Sequence, residues 1–391
     1  MTDALGDGAS VATPPLRVIA REWTRLGVIG FGGPPAHIAL LRRLSVEKNQ
    51  WLSLEEFEHA VTATSLLPGP ASTQLVIYAA WRLRGARGAV LGGVCFILPG
   101  LCLIVVLSAL FFARHPTNGV FGAALGAGAV VPAIAARTAW QLGAPSWRQR
   151  RDVADRSRAV VYGVLGAGVT LATPSLVVLA LVTCGAVEVL ARRGGRHVVV
   201  AGLTTTHAIA LGALGALGSL GALSWVAFKV GALSYGGGFV IITLMQHYVV
   251  STYHWMTGPQ FLNAVALGQI TPGPVVLTVA AVGYAVHGLG GAALGAAVAF
   301  APSFLLIILG ARSFDRLRTN ASVAAFLAGA GPSVIGAIGA SSVSLALLLS
   351  RPWQWGVLAT AGLWLFLRRR GATSVLILSA LVGAIITLAS S

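Results

Sequence analysis

Acidic residues are scarce in this chain: 11 Asp and Glu stand against 27 Lys and Arg in 391 residues. Lysine is scarcer still, present only at Lys48 and Lys229, so the basic side is almost all arginine. The few thiols, Cys95, Cys102 and Cys184, lie in apolar sequence without metal-type spacing, so neither a disulfide framework nor a cysteine metal centre is implied. No metal or other cofactor is expected. A clustered nucleophile or metal set is missing as well, which argues against an enzyme. The polar start MTDALGDGASVATPP has neither a basic leader nor an apolar core, and no cleavable signal is expected.

Apolar sequence is abundant: 56% of residues are hydrophobic and 10% charged. Ala89–Ala113 runs 25 positions without a charge, and Ser322–Ser350 and Thr373–Ser391 are also charge-free. Each meets the length of about 18 apolar residues that spans a bilayer. The chain therefore reads as a polytopic helical membrane protein. Its net charge of +16 comes from short arginine clusters between apolar segments, the pattern of positive-inside loops and not of a nucleic-acid-binding domain.

An internal repeat organises these segments. With Phe31 laid on Tyr235, FGGPP meets YGGGF, Trp51 meets Trp255, and Pro68-Gly69-Pro70 meets Pro272-Gly273-Pro274. After a slip of one residue, Gly85, Gly88, Gly92 and Pro99 match Gly288, Gly291, Gly295 and Pro302. Ser53-x-x-Glu56 and Thr257-x-x-Gln260 both read as capping boxes. The expected organisation is a polar tail at 1–15, a first repeat at 16–195, a linking span at 196–219 and a second repeat at 220–391 of opposite membrane orientation.

Loop charge sets the expected topology. Basic clusters flank both ends of segments 18–44 and 53–82, so each is read as a re-entrant hairpin whose ends stay on the cytoplasmic side. Full spans follow near 89–113, 119–143, 159–173, 174–191 and 198–220. Hairpins 222–248 and 257–287 then enter from outside, followed by spans near 290–311, 321–349, 353–367 and 373–391. The expected fold is thus an all-α inverted repeat, each half holding two broken hairpins and about four transmembrane helices. The N-terminus is expected in the cytoplasm and the C-terminus in the periplasm of a bacterial inner membrane.

Breaks in membrane helices point to a site. Freed backbone groups are costly in lipid unless buried in protein or lining a watery cavity, and a half-helix N-terminus attracts anions. The candidate anion-binding residues are Gly32, Gly33, Pro34, Pro68, Gly69 and Pro70 in the first half, with Gly236, Gly237, Pro272, Gly273 and Pro274 in the second. Arg25 and Lys229 occupy equivalent positions six residues before Phe31-Gly-Gly and Tyr235-Gly-Gly, and each is a candidate cation for the same anion. Ser72, Thr73 and Gln74 could add hydrogen bonds, whereas the second break is followed mostly by Val and Leu. Glu22, Glu58 and Glu188 are the candidate proton-coupling carboxylates, Glu188 also being placed to pair with Arg192. His37, His59 and His207 lie in no metal-like or catalytic constellation.

FGGPPAHIALLRR, WLSLEEF, LLPGPASTQL and GGVCFILPG, with their weaker second-half echo, resemble the chromate ion transporter family over nearly the whole chain, in its two-domain, long-chain form. The resemblance implies export of chromate from the bacterial cytoplasm, coupled to the proton gradient or membrane potential. It carries the family motif onto Gly32, Gly33, Pro34, Trp51, Pro68, Gly69, Pro70 and Gln74. Members commonly have an acid soon after the paired basic residues, whereas here Leu44 and Ser45 follow Arg42-Arg43 and Glu47 is the first acid. A sulfate or other anion carrier is the near alternative, with an anion channel or a membrane enzyme further off. The expected partners are a chromate- or sulfate-like oxyanion and the lipid bilayer; a homodimer is an open option, and nucleic acid is not expected.

Overall fold

The computed structural model of the chain describes residues 14–113, 117–150, 152–192, 218–234, 239–311, 320–367 and 371–390. The first break is built by α1 (Leu16–Ile29) and α2 (Pro34–Arg42), and α2 runs on as a π-helical turn through Lys48. The second is built by α3 (Leu54–Leu66) and α4 (Ala71–Phe111). At 14 and 13 residues, α1 and α3 are about 20 Å long, short of the ~30 Å hydrocarbon core. They cannot cross it alone. α5 (Asn118–Gln149), α6 (Val153–Ala172) and α7 (Val177–Arg192) complete the described part of the first half.

The second half repeats the order. α8 (Gly218–Ala232) and α9 (Phe239–Gln246, continued by a π-turn to Thr252) answer α1 and α2. α10 (Gly258–Ile270) and α11 (Thr278–Gly310) answer α3 and α4, followed by α12 (Ala321–Ala346), α13 (Pro352–Leu367) and α14 (Ala372–Ala389). Among the described residues the chain is helical without strands, and six helical stretches are long and apolar enough to cross a membrane: 71–111, 118–148, 174–192, 275–310, 321–346 and 372–389. The expected spans at 159–173 and 353–367 fall outside that set. α6 opens with Asp155, Arg156 and Arg158, and α13 is 16 residues long. The expected span at 198–220 and the glycine pair at 236 and 237 lie almost wholly outside the described residues.

The duplication is written into the backbone as well as the sequence. The π-turns at Arg43–Lys48 and His247–Thr252 lead into the non-glycine positive-φ residues Gln50 (49°) and His254 (51°). Both capping boxes form, Ser53 with Glu56 and Thr257 with Gln260. The arginine cluster expected as a loop around 82–87 is a sharp turn at Arg84 (φ −144°, ψ 25°) and Gly85 (φ 59°, ψ −150°), where α4 folds back on itself so that a Cβ on Gly88 would meet the Ala80 carbonyl. His287 (−143°, 30°) and Gly288 (58°, −144°) reproduce it in α11.

The one-residue slip has a physical cause. After Pro274 the chain takes a 3₁₀ turn over Val275–Leu277, where the first half starts α-helix directly at Ala71. A 3₁₀ turn rises about 2.0 Å per residue against about 1.5 Å in an α-helix. Three such residues gain about 1.5 Å, the rise of the one residue the second half lacks.

Packing interlocks the halves. α1 lies along α4, α8 along α11, and α4 against α11. Gly27 and Gly231 make equivalent close approaches, since a Cβ on either would collide with the carbonyl of Phe96 or Ala299. α5 packs on α13 and α14 of the other half, while α12 packs on α6 and α7. Small residues bring these helices into backbone contact, Gly126 on the Ser379 carbonyl and Gly336 on the Gly163 carbonyl. The interlocking leaves the two pairs of broken helices facing each other.

Candidate functional site

Four helix ends meet in pairs. The Gly273 N–H donates to the Gly30 carbonyl at 2.9 Å, and the Gly69 N–H donates to the Ser234 carbonyl at 3.1 Å. By the repeat register Gly69 and Gly273 are equivalent, and so are Gly30 and Ser234. Each Pro-Gly-Pro turn is thus bonded to the end of the first half-helix of the opposite repeat. Both turns need glycine, at φ 122° for Gly69 and 103° for Gly273, a region that L side chains rarely adopt. Gly69 and Gly273 spend their N–H groups on this seam and their flanking prolines have none, so free donors are confined to the helix starts beyond the turns.

The donors that remain lie at the start of α4. Thr73 and Gln74 return their N–H groups to the Pro70 carbonyl at 2.9 and 3.0 Å. Ala71 and Ser72, the first two residues of α4, have no intrahelical acceptor. α2 offers nothing comparable, since Pro34 and Pro35 fill its first two positions and Ala36 and His37 bond to the Gly33 carbonyl. Gly32 (φ 100°) and Gly33 (φ 74°) therefore turn the chain without leaving a helical donor behind Pro34.

Polar side chains gather on the first-half turn, while the second-half turn is preceded by Gln269, whose Nε2 is buried without a partner, and Thr271, whose hydroxyl is used on the Gly268 carbonyl at 3.3 Å. Gln74 folds back so that Nε2 donates to the Pro68 carbonyl at 2.7 Å. Thr73 Oγ1, Gln74 Oε1, Ser234 Oγ and Ser303 Oγ are buried without a hydrogen-bond partner. Ser303 Oγ lies 3.2 Å from where a Cβ on Gly69 would stand, so this second-half hydroxyl faces the first-half turn. Buried His37 joins the same seam: Nε2 lies 2.9 Å from the Gly30 carbonyl and Nδ1 3.1 Å from Ser72 Oγ. Around Pro272-Gly273-Pro274 the equivalents are Val276 and Leu277, and the Thr278 hydroxyl is used locally on the Val275 carbonyl at 2.8 Å. Gly100, the counterpart of Ser303, merely lets α4 touch the Pro272 carbonyl.

The predicted cations are not at this seam. Arg25 faces a groove of about 270 Å³ between α1 and α2, shared with Arg43, Lys48 and the buried carboxylate of Glu22. Arg21 pairs with Glu22 at 2.9 Å. In the second half the equivalent of Leu44 is Tyr248, and Lys229 Nζ stands 3.5 Å above its ring and 4.9 Å from that of Trp225. Cation–π contact occupies this ammonium. Arg25 and Lys229 thus keep equivalent positions, but one lines an open basic groove and the other is held by aromatic faces.

The carboxylates separate in the same way. Glu58 is exposed, and Glu188 is 1% exposed. Arg192 Nε (2.7 Å), Arg158 Nε (3.0 Å) and the Tyr162 hydroxyl (3.1 Å) all bond to the Glu188 carboxylate. Glu56, at the mouth of the second hairpin, accepts from the Ser53 N–H and pairs with Arg82 at 2.6 Å. These contacts hold its carboxyl below the usual range. Sequence reasoning reached Ser72, Thr73 and Gln74 but missed His37, Ser234, Ser303, Arg43 and Lys48. Ser303 had one available signal, a hydroxyl after Pro302 where the repeat places Gly100 after Pro99.

The profile of the chromate transporter family matches residues 18–220 and again 221–388. The chain is 32% identical to the chromate transport protein of Cupriavidus metallidurans, covering 98% of this chain and 96% of that protein. It is 28% identical to a probable chromate transport protein of Synechococcus elongatus, covering 95% of each. To the chromate transport protein of Pseudomonas aeruginosa it is 29% identical, covering 87% of this chain and 84% of that one. No solved structure matches. Two matches that together run nearly end to end, on a backbone that repeats itself turn by turn, place the chain in the chromate transporter family.

Proposed function

We propose that the chain is a secondary active transporter that exports chromate, or a similar tetrahedral oxyanion, across the cytoplasmic membrane, driven by the proton gradient or the membrane potential. The observation that carries this reading is the set of buried, unpartnered hydroxyls at the first-half turn. Buried polar atoms without partners cost free energy, yet the hydroxyls of Thr73, Ser234 and Ser303 keep three of them at this turn, where the first two N–H groups of α4 have no intrahelical acceptor. A tetrahedral oxyanion accepts from several directions at once and satisfies such donors together. The relatives named for chromate transport support the choice of anion.

The seam also fits alternating access. Hairpins entering from opposite faces would meet tip to tip at mid-membrane, as in inverted-repeat carriers. The Gly30–Gly273 and Ser234–Gly69 bonds then form the closed centre, and the Arg25–Arg43–Lys48 groove gathers anions at one mouth. Labelled chromate and sulfate uptake into inverted vesicles, with and without an imposed gradient, tests this. Saturable, gradient-dependent accumulation of chromate is expected. Equilibration without accumulation would make the protein a channel, and no uptake above empty vesicles would remove the reading. A cysteine at position 288 should label from the outside, and labelling from the cytoplasm would overturn the inverted arrangement.

A further inference from the structure

His37 is a buried titratable group at the seam that anion binding by α4 does not use. Its hydrogen bonds fix the tautomer of the neutral ring. The Gly30 carbonyl can only accept, so Nε2 carries a hydrogen and donates at 2.9 Å. The neutral ring then has Nδ1 as an acceptor, and the Ser72 hydroxyl donates to it at 3.1 Å. The Gly30 carbonyl also takes the Gly273 N–H, so the imidazole is wired to both the cross-repeat bond and the start of α4.

We infer that His37 is a proton-binding residue whose protonation turns the Ser72 hydroxyl from the imidazole toward the bound oxyanion, so that proton and anion bind together. One proton is taken up from solvent at Nδ1 and no covalent bond between heavy atoms breaks. Nδ1–H must then donate, and Ser72 Oγ becomes its acceptor. The freed hydroxyl hydrogen turns away from the ring, beside the N–H groups of Ala71 and Ser72. The imidazolium charge favours an anion at the same place, so hydrogen-bond switch and electrostatics have the same sign. This deepens the transport reading, rests on it and selects its driving force. One proton leaving with a dianion carries net negative charge outward, which the membrane potential drives and the inward proton gradient opposes.

The surroundings leave the proton on His37. Its ring bonds are to Gly30 and Ser72, and the Phe96 ring stands edge-on at 5.1 Å. Against α2, α1 presents Glu22 and Arg25, the π-turn carries Arg43, Glu47 and Lys48, and α4 carries Arg82, Arg84 and Arg87. Arg25 is five residues before Gly30, about 7.5 Å of helix, and helical side chains lean toward the N-terminus and so toward the groove mouth. Arg82 and Arg84 are ten and twelve residues beyond Ser72, about 15 to 18 Å along the helix, and Arg87 lies past the turn at Gly85, beside the level of Ala80. In the second half Ile241 and Val276 stand at the equivalent positions, so the device belongs to one repeat.

The test uses the full-length protein in detergent. Calorimetric titration with sulfate and with chromate, in buffers of different ionisation enthalpy between about pH 6 and 8, reads the protons taken up per anion. Sulfate separates the protein's proton from the one chromate itself can carry. Wild type should take up a proton with sulfate, and affinity should rise several-fold as pH falls. His37→Gln can keep both hydrogen bonds but cannot titrate, so it should bind with pH-independent affinity and no uptake. Equal proton uptake in His37→Gln and wild type would overturn the assignment, and so would anion binding to wild type with no uptake, which leaves transport standing. Binding of neither oxyanion would remove the transport reading itself. If His37→Gln fails to fold, the ¹⁵N signals of the wild-type imidazole should titrate at higher pH with sulfate present than without it. An unmoved midpoint counts against the proposal.

Discussion

Gly273 and Gly30, 243 positions apart, share a 2.9 Å backbone hydrogen bond, and their repeat partners Gly69 and Ser234 share one of 3.1 Å. The pair gives the two Pro-Gly-Pro turns a structural role, since each supports the broken helix of the other half. Loss of one turn should therefore be felt in both repeats.

Gly69→Ala and Gly273→Ala test that coupling. A Cβ forces both residues out of a conformation open to glycine, at a cost on the order of 1–3 kcal/mol. At Gly69 it also collides with Gln74 Nε2, whereas at Gly273 it meets Leu277 Cδ1 at a tolerable 3.4 Å. Gly69→Ala should lower the thermal midpoint in detergent more than Gly273→Ala, and transport should fall in both. Equal midpoints for wild type and Gly69→Ala would separate the turn from stability.

The basic groove leads to a second expectation. Arg25, Arg43 and Lys48 line it, and only buried Glu22, already paired with Arg21, opposes them. Arg25→Gln with Arg43→Gln should raise the KM for the oxyanion by roughly tenfold, about 1.4 kcal/mol, and flatten its salt dependence. Lys229 is held by Tyr248 and Trp225, so Lys229→Met should change KM less than the groove pair does. Vesicle transport at two ionic strengths measures both. A larger effect from Lys229 would restore the symmetric cation pair that the sequence suggests.

Much of this architecture was legible in the sequence, because Pro, Gly and capping residues act locally. The register of Pro68-Gly69-Pro70 with Pro272-Gly273-Pro274, the capping boxes and the Gly85/Gly288 match all reappear as backbone geometry. What was illegible depends on contacts between distant segments. No spacing rule brings Ser303 to Gly69, or Ser234 to the other half's turn. Lys229, a cation in apolar sequence, looks unpaired until the rings of Trp225 and Tyr248 are placed around it. His37 sat among apolar residues with no polar neighbour in sequence, and its partners come from a turn seven residues back and a helix 35 residues on.

Glu188 should prove structural. It is 1% exposed and bonded by Arg158, Arg192 and Tyr162, and Arg158 also pairs with Asp155. Removing one member of such a set leaves buried charge uncompensated, a loss of about 3–5 kcal/mol. Glu188→Ala should unfold at markedly lower temperature, while the fraction that stays folded should keep the wild-type pH profile of transport. A folded, stable variant with an altered pH profile would make Glu188 the coupling carboxylate instead.

Glu56 offers a pH dependence whose sign follows from its contacts. The Ser53 N–H and Arg82 hold its folded pKa below the ordinary value, so its contribution is complete above the unfolded pKa near about 4.3 and fades as pH falls through the folded value. Glu56→Gln isolates the charge, because the second repeat already closes the same capping box with Gln260. The variant should be less stable than wild type near neutral pH, by a margin that salt reduces, and the two should converge in acid. With the ion pair to Arg82 gone, α3 is tied to α4 only by packing, so protease access to the 49–53 connection should rise in the variant at neutral pH and match wild type in acid.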